Sequence, residues 1–309
     1  MELIRGLHNL TSRHRGCVAT IGNFDGVHLG HQAVIGQLNA KAQALHLPTT
    51  VVLFEPQPLE FFRPNNAPAR LMRLREKIEA LGNAGVNRVL CVRFDAQFAA
   101  LSAEEFIRRI LIEGLGVRRL VVGDDFRFGA ARRGDFAMLA DAGHAHGFDV
   151  SATHTIVLQG ERISSTRIRE RLVAADLDMA RELLGRPYSL SGRVAHGDKL
   201  GRTLGVPTAN LHLHRKDVPL TGIFVVEVSG LKPQALPGVA SIGTRPTVGG
   251  TRTLLEVHLF DFDADIYGAN VRVNFLHKLR DEQRFDTVEE LRTWMERDIV
   301  QARAFFAKN

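Results

Sequence analysis

Hydrophobic positions along this chain follow two rhythms, and the change between them falls near residue 185. Before it, short apolar, β-branched runs alternate with stretches of helical period. The runs cover residues 18–21, 49–54, 88–92, 120–122 and 150–157. After Gly30, Val34, Leu38, Ala42 and Leu45 recur at helical spacing. Another helix follows Pro68 and ends near Gly82 or Gly85. Ser102-Ala-Glu-Glu105 has the form of a capping box and opens a helix carrying Phe106, Ile107, Ile110 and Leu111. A short helix over 135–142 stops at Gly143. Strands alternating with helices predict an open parallel sheet covered on both faces. Ligands of such sheets bind beyond the carboxyl ends of the strands. Residues 22–31, 54–63 and 123–129 are the polar stretches at such ends, so they should converge on one crevice.

A helix over 176–184 ends at Gly185, with Pro187 just beyond. The pattern then becomes short alternating runs between glycine turns, at 189–194, 207–213, 223–228, 239–242, 253–260 and 271–279. Strands without intervening helices predict an antiparallel barrel. A last helix begins near Asp286-Thr287. Its apolar stripe, Val288, Leu291, Met295, Ile299 and Ala302, reads as a clamp on that barrel. The chain of 309 residues thus divides into two domains, 1–184 and 185–309.

Composition narrows the classes. Cys17 and Cys91 both lie in apolar runs and read as buried thiols in a reducing compartment. No charged-then-apolar leader opens the sequence, and no apolar run reaches the ~18 residues that span a bilayer. The expectation is a soluble, cytoplasmic protein without a membrane partner, a monomer or weak homo-oligomer. The net charge of +6 suits anionic ligands. Without a lysine block or aromatic–basic interleaving it does not predict a nucleic-acid partner.

Three stretches of the first half carry candidate chemistry. Residues 20–31 read as strand, tight turn and helix N-terminus. Unpaired N–H groups and partial positive charge there make a phosphate site. Gly22, Gly26 and Gly30 let the backbone approach a ligand, and His28 and His31 could complement polyphosphate charge. The spacing fits neither the dinucleotide fingerprint nor the Walker loop. In residues 123–129, Asp125 either terminates an acidic turn or orients a ligand hydroxyl or base, with Phe126 and Phe128 as an apolar or stacking surface. In residues 163–169, Ser165 or Thr166 reads as an N-cap. Arg167 and Arg169 follow in the first turn, where positive charge opposes the helix dipole. Either they are solvated, or an anion sits at that terminus.

The second half adds a loop and two strands. Residues 192–205 are too glycine-rich and charged for a core element and suit a phosphate-covering loop. Thr208 and Asn210 alternate, so in a strand both point the same way. They either bond along a strand edge or offer neutral oxygen ligands to Mg²⁺. Glu256 is the one carboxylate of its alternating run, facing into the barrel with His258 or out with it. Facing inward near a bound alcohol it could act as a general base, and otherwise it reads as a solvated edge residue.

Taken together, these segments resemble the bacterial bifunctional riboflavin kinase/FAD synthetase (FMN adenylyltransferase) family. Gly22, Phe24, Asp25, Gly26, His28, Gly30 and His31 match its Gly-x-Phe-Asp-Gly-x-His-x-Gly-His signature. Residues 123–129 and 163–169 match later adenylyltransferase motifs. Gly201-Arg202, Gly205, Pro207-Thr-Ala-Asn210, residues 238–247 and Glu256 match the flavokinase module. One departure is Gln57, where a histidine is expected. Asp125 stands where some relatives carry asparagine. The resemblance implies an α/β fold with a Rossmann-like nucleotidylyltransferase domain and an open parallel sheet. It also implies a C-terminal antiparallel six-stranded flavokinase-type β-barrel with a terminal helix.

It further implies two reactions, riboflavin to FMN and FMN to FAD, with ATP as co-substrate and Mg²⁺ as cofactor. Glu256 would be the kinase base, and Thr208 and Asn210 the metal ligands. Gly192, His196, Gly197, Gly201, Arg202, Gly205 and Pro207 would surround the nucleotide. His28, His31 and Arg169 would carry the adenylyl transfer. Ser164 and Thr166 would hold its phosphates and Asn23 would help orient them, while Gly22, Phe24, Asp25, Gly26 and Gly30 would belong to the cofactor-binding site. The competing classes are a single-activity enzyme with one inactive module, a non-catalytic flavin- or nucleotide-binding regulator, and an oligonucleotide-binding barrel.

Overall fold

The computed structural model describes residues 1–153, 155–196, 205–215, 217–247 and 250–308. The chain forms two compact units. One comprises Met1–Pro68 and Met72–Ser164, the other Ala69–Leu71 and Ser165–Asn309.

The first unit runs β1 (Glu2–Arg5), β2 (Cys17–Ile21), α1 (Leu29–Leu45), β3 (Thr49–Glu55), α2 (Pro58–Phe62), α3 (Leu74–Asn83) and β4 (Arg88–Arg93). It continues with α4 (Ala96–Ala99), α5 (Ala103–Phe106), β5 (Val117–Gly123), α6 (Phe136–His146), β6 (Asp149–Thr153) and a hairpin of β7 (Val157–Leu158) and β8 (Glu161–Arg162). Six strands form one sheet in the order β1-β4-β3-β2-β5-β6. Every pairing in it is parallel. Alternation along the strands divides the core. Ala19, Val52, Leu90, Leu120 and Val122 face Phe106, Ile107, Ile110, Leu111 and Leu139. Val18, Val51, Leu53, Val89 and Val121 face Ile35, Leu38, Ala42 and Leu81 of α1 and α3. Burial on both faces is why these strands read as continuous apolar runs. Cys17 and Cys91 are free and buried, and burial pushes the Cys17 thiol up to about 11.

Local signals explain most boundaries. Ser102 Oγ accepts from Glu105 N–H, and Glu105 Oε2 accepts from Ser102 N–H, closing the capping box. The helix then widens into a π-helical stretch over Ile107–Gly114. Two expectations need correction. Helix α6 does not stop at Gly143 but runs through it to a left-handed Gly147, φ 75°. Gly143 is there because a Cβ would run into the Phe148 carbonyl oxygen. The 54–63 segment, expected only as a polar stretch beyond β3, forms a helix at α2, where Glu60 Oε2 accepts from Gln57 N–H at 2.9 Å.

The second unit runs α7 (Ser165–Val173), α8 (Leu177–Leu184), β9 (Tyr188–Ala195), β10 (Ala209–His212), β11 (Gly222–Ser229), β12 (Leu236–Thr247), β13 (Gly250–Leu259), β14 (Asn270–Arg280) and α9 (Val288–Lys308). Asp176 caps α8 by accepting from Met179 N–H at 3.1 Å, and Gly185 closes it in the left-handed region. The strands close into a barrel ordered β10-β13-β12-β11-β14-β9, antiparallel at each junction. Leu190, Leu211, Phe224, Val226, Ala240, Ile242, Leu255, Val273 and Phe275 are buried on the inner face. On the outer face Ile223, Val225 and Val239 pack against Ile299, Ala302, Phe305 and Phe306 of α9.

The apolar stripe expected for α9 is only half right. Val288 is 57% exposed. The helix docks instead through its later turns and through polar groups. Asp298, 5% exposed, takes Arg280 Nε at 2.9 Å and Nη2 at 2.7 Å. Arg280 also lies 5.2 Å from the Trp294 ring centroid, which Arg297 approaches equally closely. Removing one partner of such a pair strands the other charge. Asp298→Ala should therefore destabilise the second unit by about 3–5 kcal/mol. Denaturant unfolding followed by circular dichroism measures this. Replacing Arg280 with Met in the same chain should recover part of the loss.

Candidate active sites

The first candidate site lies at the carboxyl edge of the parallel sheet. Strand β2 ends at Ile21, and Gly22 N–H still donates to Val52 O at 3.1 Å. A Cβ on Gly22 would meet the Phe24 ring at 3.1 Å. The chain then enters the left-handed region at Phe24 (φ 48°), Gly26 (φ 87°) and Val27 (φ 40°). For β-branched Val27 that is a strained conformation costing about 1–3 kcal/mol, tolerated only where surroundings over-determine it. They do so here. Phe24 and Val27 are buried against α1 and its sheet face, and Gln32 Nε2 donates to Val27 O at 2.9 Å.

The strained turn delivers His28 as the N-cap of α1. Its Nδ1 accepts from His31 N–H at 3.3 Å. The two imidazoles stack with centroids 3.6 Å apart and planes 18° apart, and the Phe24 ring lies 4.8 Å from His31. A Cβ on Gly30 would come within 3.1 Å of His28 Nδ1, so a glycine there makes room for the stack. With Nδ1 accepting, a neutral His28 carries its proton on Nε2. Asn23 is half-buried in the same turn. Asp25 is 2% exposed, and its Oδ1 accepts from Met72 N–H at 3.0 Å. It ties the turn to the chain before α3.

The loop after β5 lies beside that turn, because β5 pairs with β2. Asp125 is exposed, but its Oδ2 is held by Arg162 Nη1 at 2.6 Å. The Arg162 hydrogen bond keeps the carboxyl below the usual aspartate range. Phe126 and Phe128 stack at 5.6 Å. Phe128 is 5% exposed and packs 5.1 Å from Phe106, so its ring belongs to the core rather than to an open stacking surface. Sequence reasoning missed two features. One is Arg162 as the partner of Asp125. The other is a contiguous run of rings, Phe62, Phe61, Phe94, Phe54, Phe98 and Phe106, leading from exposed Phe62 into the core. These phenylalanines come from three separate segments, so no local period announces them.

Residues 163–169 divide between the units. Ser164 is half-buried. Ser165 is already the first helical residue of α7, so it is not the cap, and Thr166 is exposed. Neither arginine is solvated as an isolated helix would have it. Arg167 is buried, and Arg169 Nε donates to Ala69 O at 2.6 Å. A backbone carbonyl thus relieves part of the conflict with the helix dipole.

The second candidate site lies on the barrel. Asn210 of β10 is the direct cross-strand partner of Glu256, and Ser241 of β12 is its partner on the other side. Leu255 and Val257 are buried inside, so Glu256 and His258 share the outer face with Asn210 and Ser241. That settles the choice left open by alternation. The imidazole Nδ1 of His258 donates to the Pro207 carbonyl at 2.9 Å, tethering the approach to β10. Pro207 and Thr208 line a cleft of about 220 Å³ with Val194, Val257, Asp263 and Tyr267. His196 lies over Tyr267 at 3.8 Å. Gly192 sits inside β9, where a Cβ would meet His212 O at 3.1 Å, so it serves strand packing. Gly205 takes φ 78°. Gly197, Gly201 and Arg202 lie outside the described residues.

The described folds and sites define a class: a nucleotidyltransferase-like parallel sheet joined in one chain to a flavokinase-type barrel. The FAD synthetase family model matches residues 10–167, and the riboflavin kinase model matches residues 184–306. The bifunctional riboflavin kinase/FMN adenylyltransferase of Escherichia coli strain K12 is 54% identical over 307 residues, 99% of this chain and 98% of that one. The protein of the same name from Pseudomonas fluorescens is 54% identical over 308 residues, again 99% of this chain and 98% of that one. A crystal structure described as a macrolide-efflux protein from Streptococcus pneumoniae is 31% identical and superposes with a TM-score of 0.84, covering 96% of this chain and 97% of that one. The chain belongs to the bifunctional riboflavin kinase/FMN adenylyltransferase family. No helix among the described residues is long and apolar enough to cross a membrane.

The Asp125–Arg162 pair has a testable pH signature. A depressed folded pKa means its stabilisation is complete above the ordinary aspartate value, ~4, and is lost as pH falls through the lower folded value. Arg162→Gln should return Asp125 to the ordinary range. A carboxyl NMR titration of the two proteins reads the shift, and an unchanged Asp125 titration contradicts the pairing.

Proposed function

We propose that the chain makes FAD from riboflavin in two steps at two separate sites. Kinase chemistry is assigned to residues 185–309 and adenylyl transfer to residues 1–184. The observation that carries the kinase assignment is the pairing of Asn210 with Glu256 on one outer barrel face, next to the Thr208 cleft.

A primary alcohol is a poor nucleophile at neutral pH, so phosphorylation of riboflavin needs a base. Glu256 accepts the proton of the terminal ribityl hydroxyl as its oxygen attacks the γ-phosphorus of ATP. The P–O bond to ADP breaks as the new one forms. Thr208 and Asn210 would hold Mg²⁺. Two neutral oxygen donors suit an ion that keeps waters and nucleotide phosphates as its remaining ligands, and it would offset charge on the transferred phosphoryl group.

Adenylyl transfer has different needs. The FMN phosphate is mostly dianionic at pH 7, since its second pKa is about 6. It attacks the α-phosphorus of ATP without a base, and pyrophosphate leaves. His28, His31 and the first N–H groups of α1 offset charge developing on that leaving group. Asn23, with Ser164 and Thr166, orients phosphates. Arg169, anchored through Nε on Ala69 O, supplies fixed positive charge.

Incubation with riboflavin, ATP and Mg²⁺, followed by chromatographic separation of the flavins, should yield FMN and FAD. Glu256→Gln should lower FMN formation about 10²–10⁴-fold and leave FAD formation from supplied FMN intact. His28→Ala should do the reverse. Loss of both reactions in a folded Glu256→Gln protein overturns the assignment to separate sites.

A further inference from the structure

The outer barrel face holds a second carboxylate that neither reaction yet uses. On β12, Ala240 and Ile242 are buried inside the barrel, so Val239, Ser241 and Gly243 share the outer face. Ser241 pairs with Glu256, and Gly243 pairs with Leu254, two residues before Glu256 on the same face. Gly243 is not bare. A Cβ built on it would coincide with the Glu282 carboxylate, whose Oε1, Oε2 and Cδ are its three nearest atoms. A mid-strand glycine forgoes side-chain packing and often marks a close approach. Here the approaching group is an acidic side chain that follows β14.

Its position is well held. Arg280, two residues earlier, is clamped by Asp298 and by the rings of Phe285 and Trp294. Asp281 is bound by Lys278 at 2.5 Å. Glu282 itself remains exposed, so the carboxylate is both seated and accessible. One strand spacing and two residues separate the Gly243 and Glu256 backbones, about 8 Å. A five-carbon polyol whose end lies at Glu256 bridges such a gap. A carboxylate is an acceptor for O–H donors, which a polyol supplies along its length.

Resting on the kinase reading above, we propose that Glu282 is a recognition residue for riboflavin. Its carboxylate, seated on Gly243, accepts hydrogen bonds from ribityl hydroxyls nearer the ring, while Glu256 addresses the terminal one. Gly243 is the positioning residue that makes room for it.

Kinase kinetics of Glu282→Ala, Glu282→Gln and Gly243→Ala test this. A lost hydrogen bond to a charged acceptor should raise the riboflavin KM about tenfold or more in Glu282→Ala. The ATP KM, and FAD formation from supplied FMN, should stay unchanged. Gln keeps an acceptor oxygen and should recover part of the effect. Gly243→Ala should reproduce the Glu282→Ala change without altering thermal unfolding. Lumiflavin, which has the ring but no polyol, should inhibit the unaltered protein and Glu282→Ala equally. An unchanged riboflavin KM in Glu282→Ala overturns the proposal. So does a loss of lumiflavin affinity as large as that of riboflavin. Absence of FMN with the unaltered protein overturns the kinase reading instead, and this assignment with it.

Discussion

Parallel pairing of β2 with β3 on one side and β5 on the other is the constraint on which the first unit depends. Registers such as Ile21 with Val52 and Thr20 with Val121 bring three carboxyl ends to one edge. The order β1-β4-β3-β2-β5-β6 turns there, since the chain builds toward β4 from one side of β2 and toward β6 from the other. A crevice opens where successive connections part in opposite directions. The Val27 turn, the stacked histidines and the Asp125 loop are neighbours for that reason, although about a hundred residues separate them. The strain at Val27 is affordable because both sheet faces are packed. A half-covered sheet would let the turn relax and would free His28 from its cap.

Closure does the equivalent work in the barrel. An antiparallel register, once closed, fixes which residues face each other across every strand. Slipping β10 by one residue against β13 would place Asn210 inside the barrel and bring apolar Leu211 to the face of Glu256. The buried set Leu211, Leu255 and Ile242 forbids that slip. Hydrophobic packing on the inner face therefore sets the polar arrangement on the outer one.

Much of this was legible along the chain, because it rests on local rules. Burial on both faces produces unbroken apolar runs, one-sided burial produces alternation, and caps such as Ser102 and Asp176 announce themselves by residue type. What was not legible depends on partners distant in sequence. Strand β1 is four residues long and joins the sheet edge beside β4, a pairing no local period encodes. Asp125 looks like a ligand group until Arg162 folds back to it. Arg169 looks misplaced until Ala69 O appears beside it. The α9 stripe suggested apolar docking from Val288 onward, whereas the apolar contact begins near Ile299 and is joined by the charged Arg280–Asp298 pair, invisible to a hydrophobic count. The side on which Glu256 lies could not be chosen from alternation, since a period of two defines faces without saying which is inside.

The two sites also treat carboxylates in opposite ways, and the chemistry of their nucleophiles accounts for it. A hydroxyl must lose its proton to attack, and on the proposed kinase face Glu256 lies directly across from neutral Asn210. A phosphate arrives already ionised, and a bare carboxylate beside it would cost binding energy by like-charge repulsion. The first unit buries Asp25 against a backbone N–H and ties Asp125 to Arg162, and in the proposed adenylyl transfer the histidines and a helix N-terminus meet the anions. Two electrostatic environments in one chain suit successive attack by a hydroxyl and then by a phosphate.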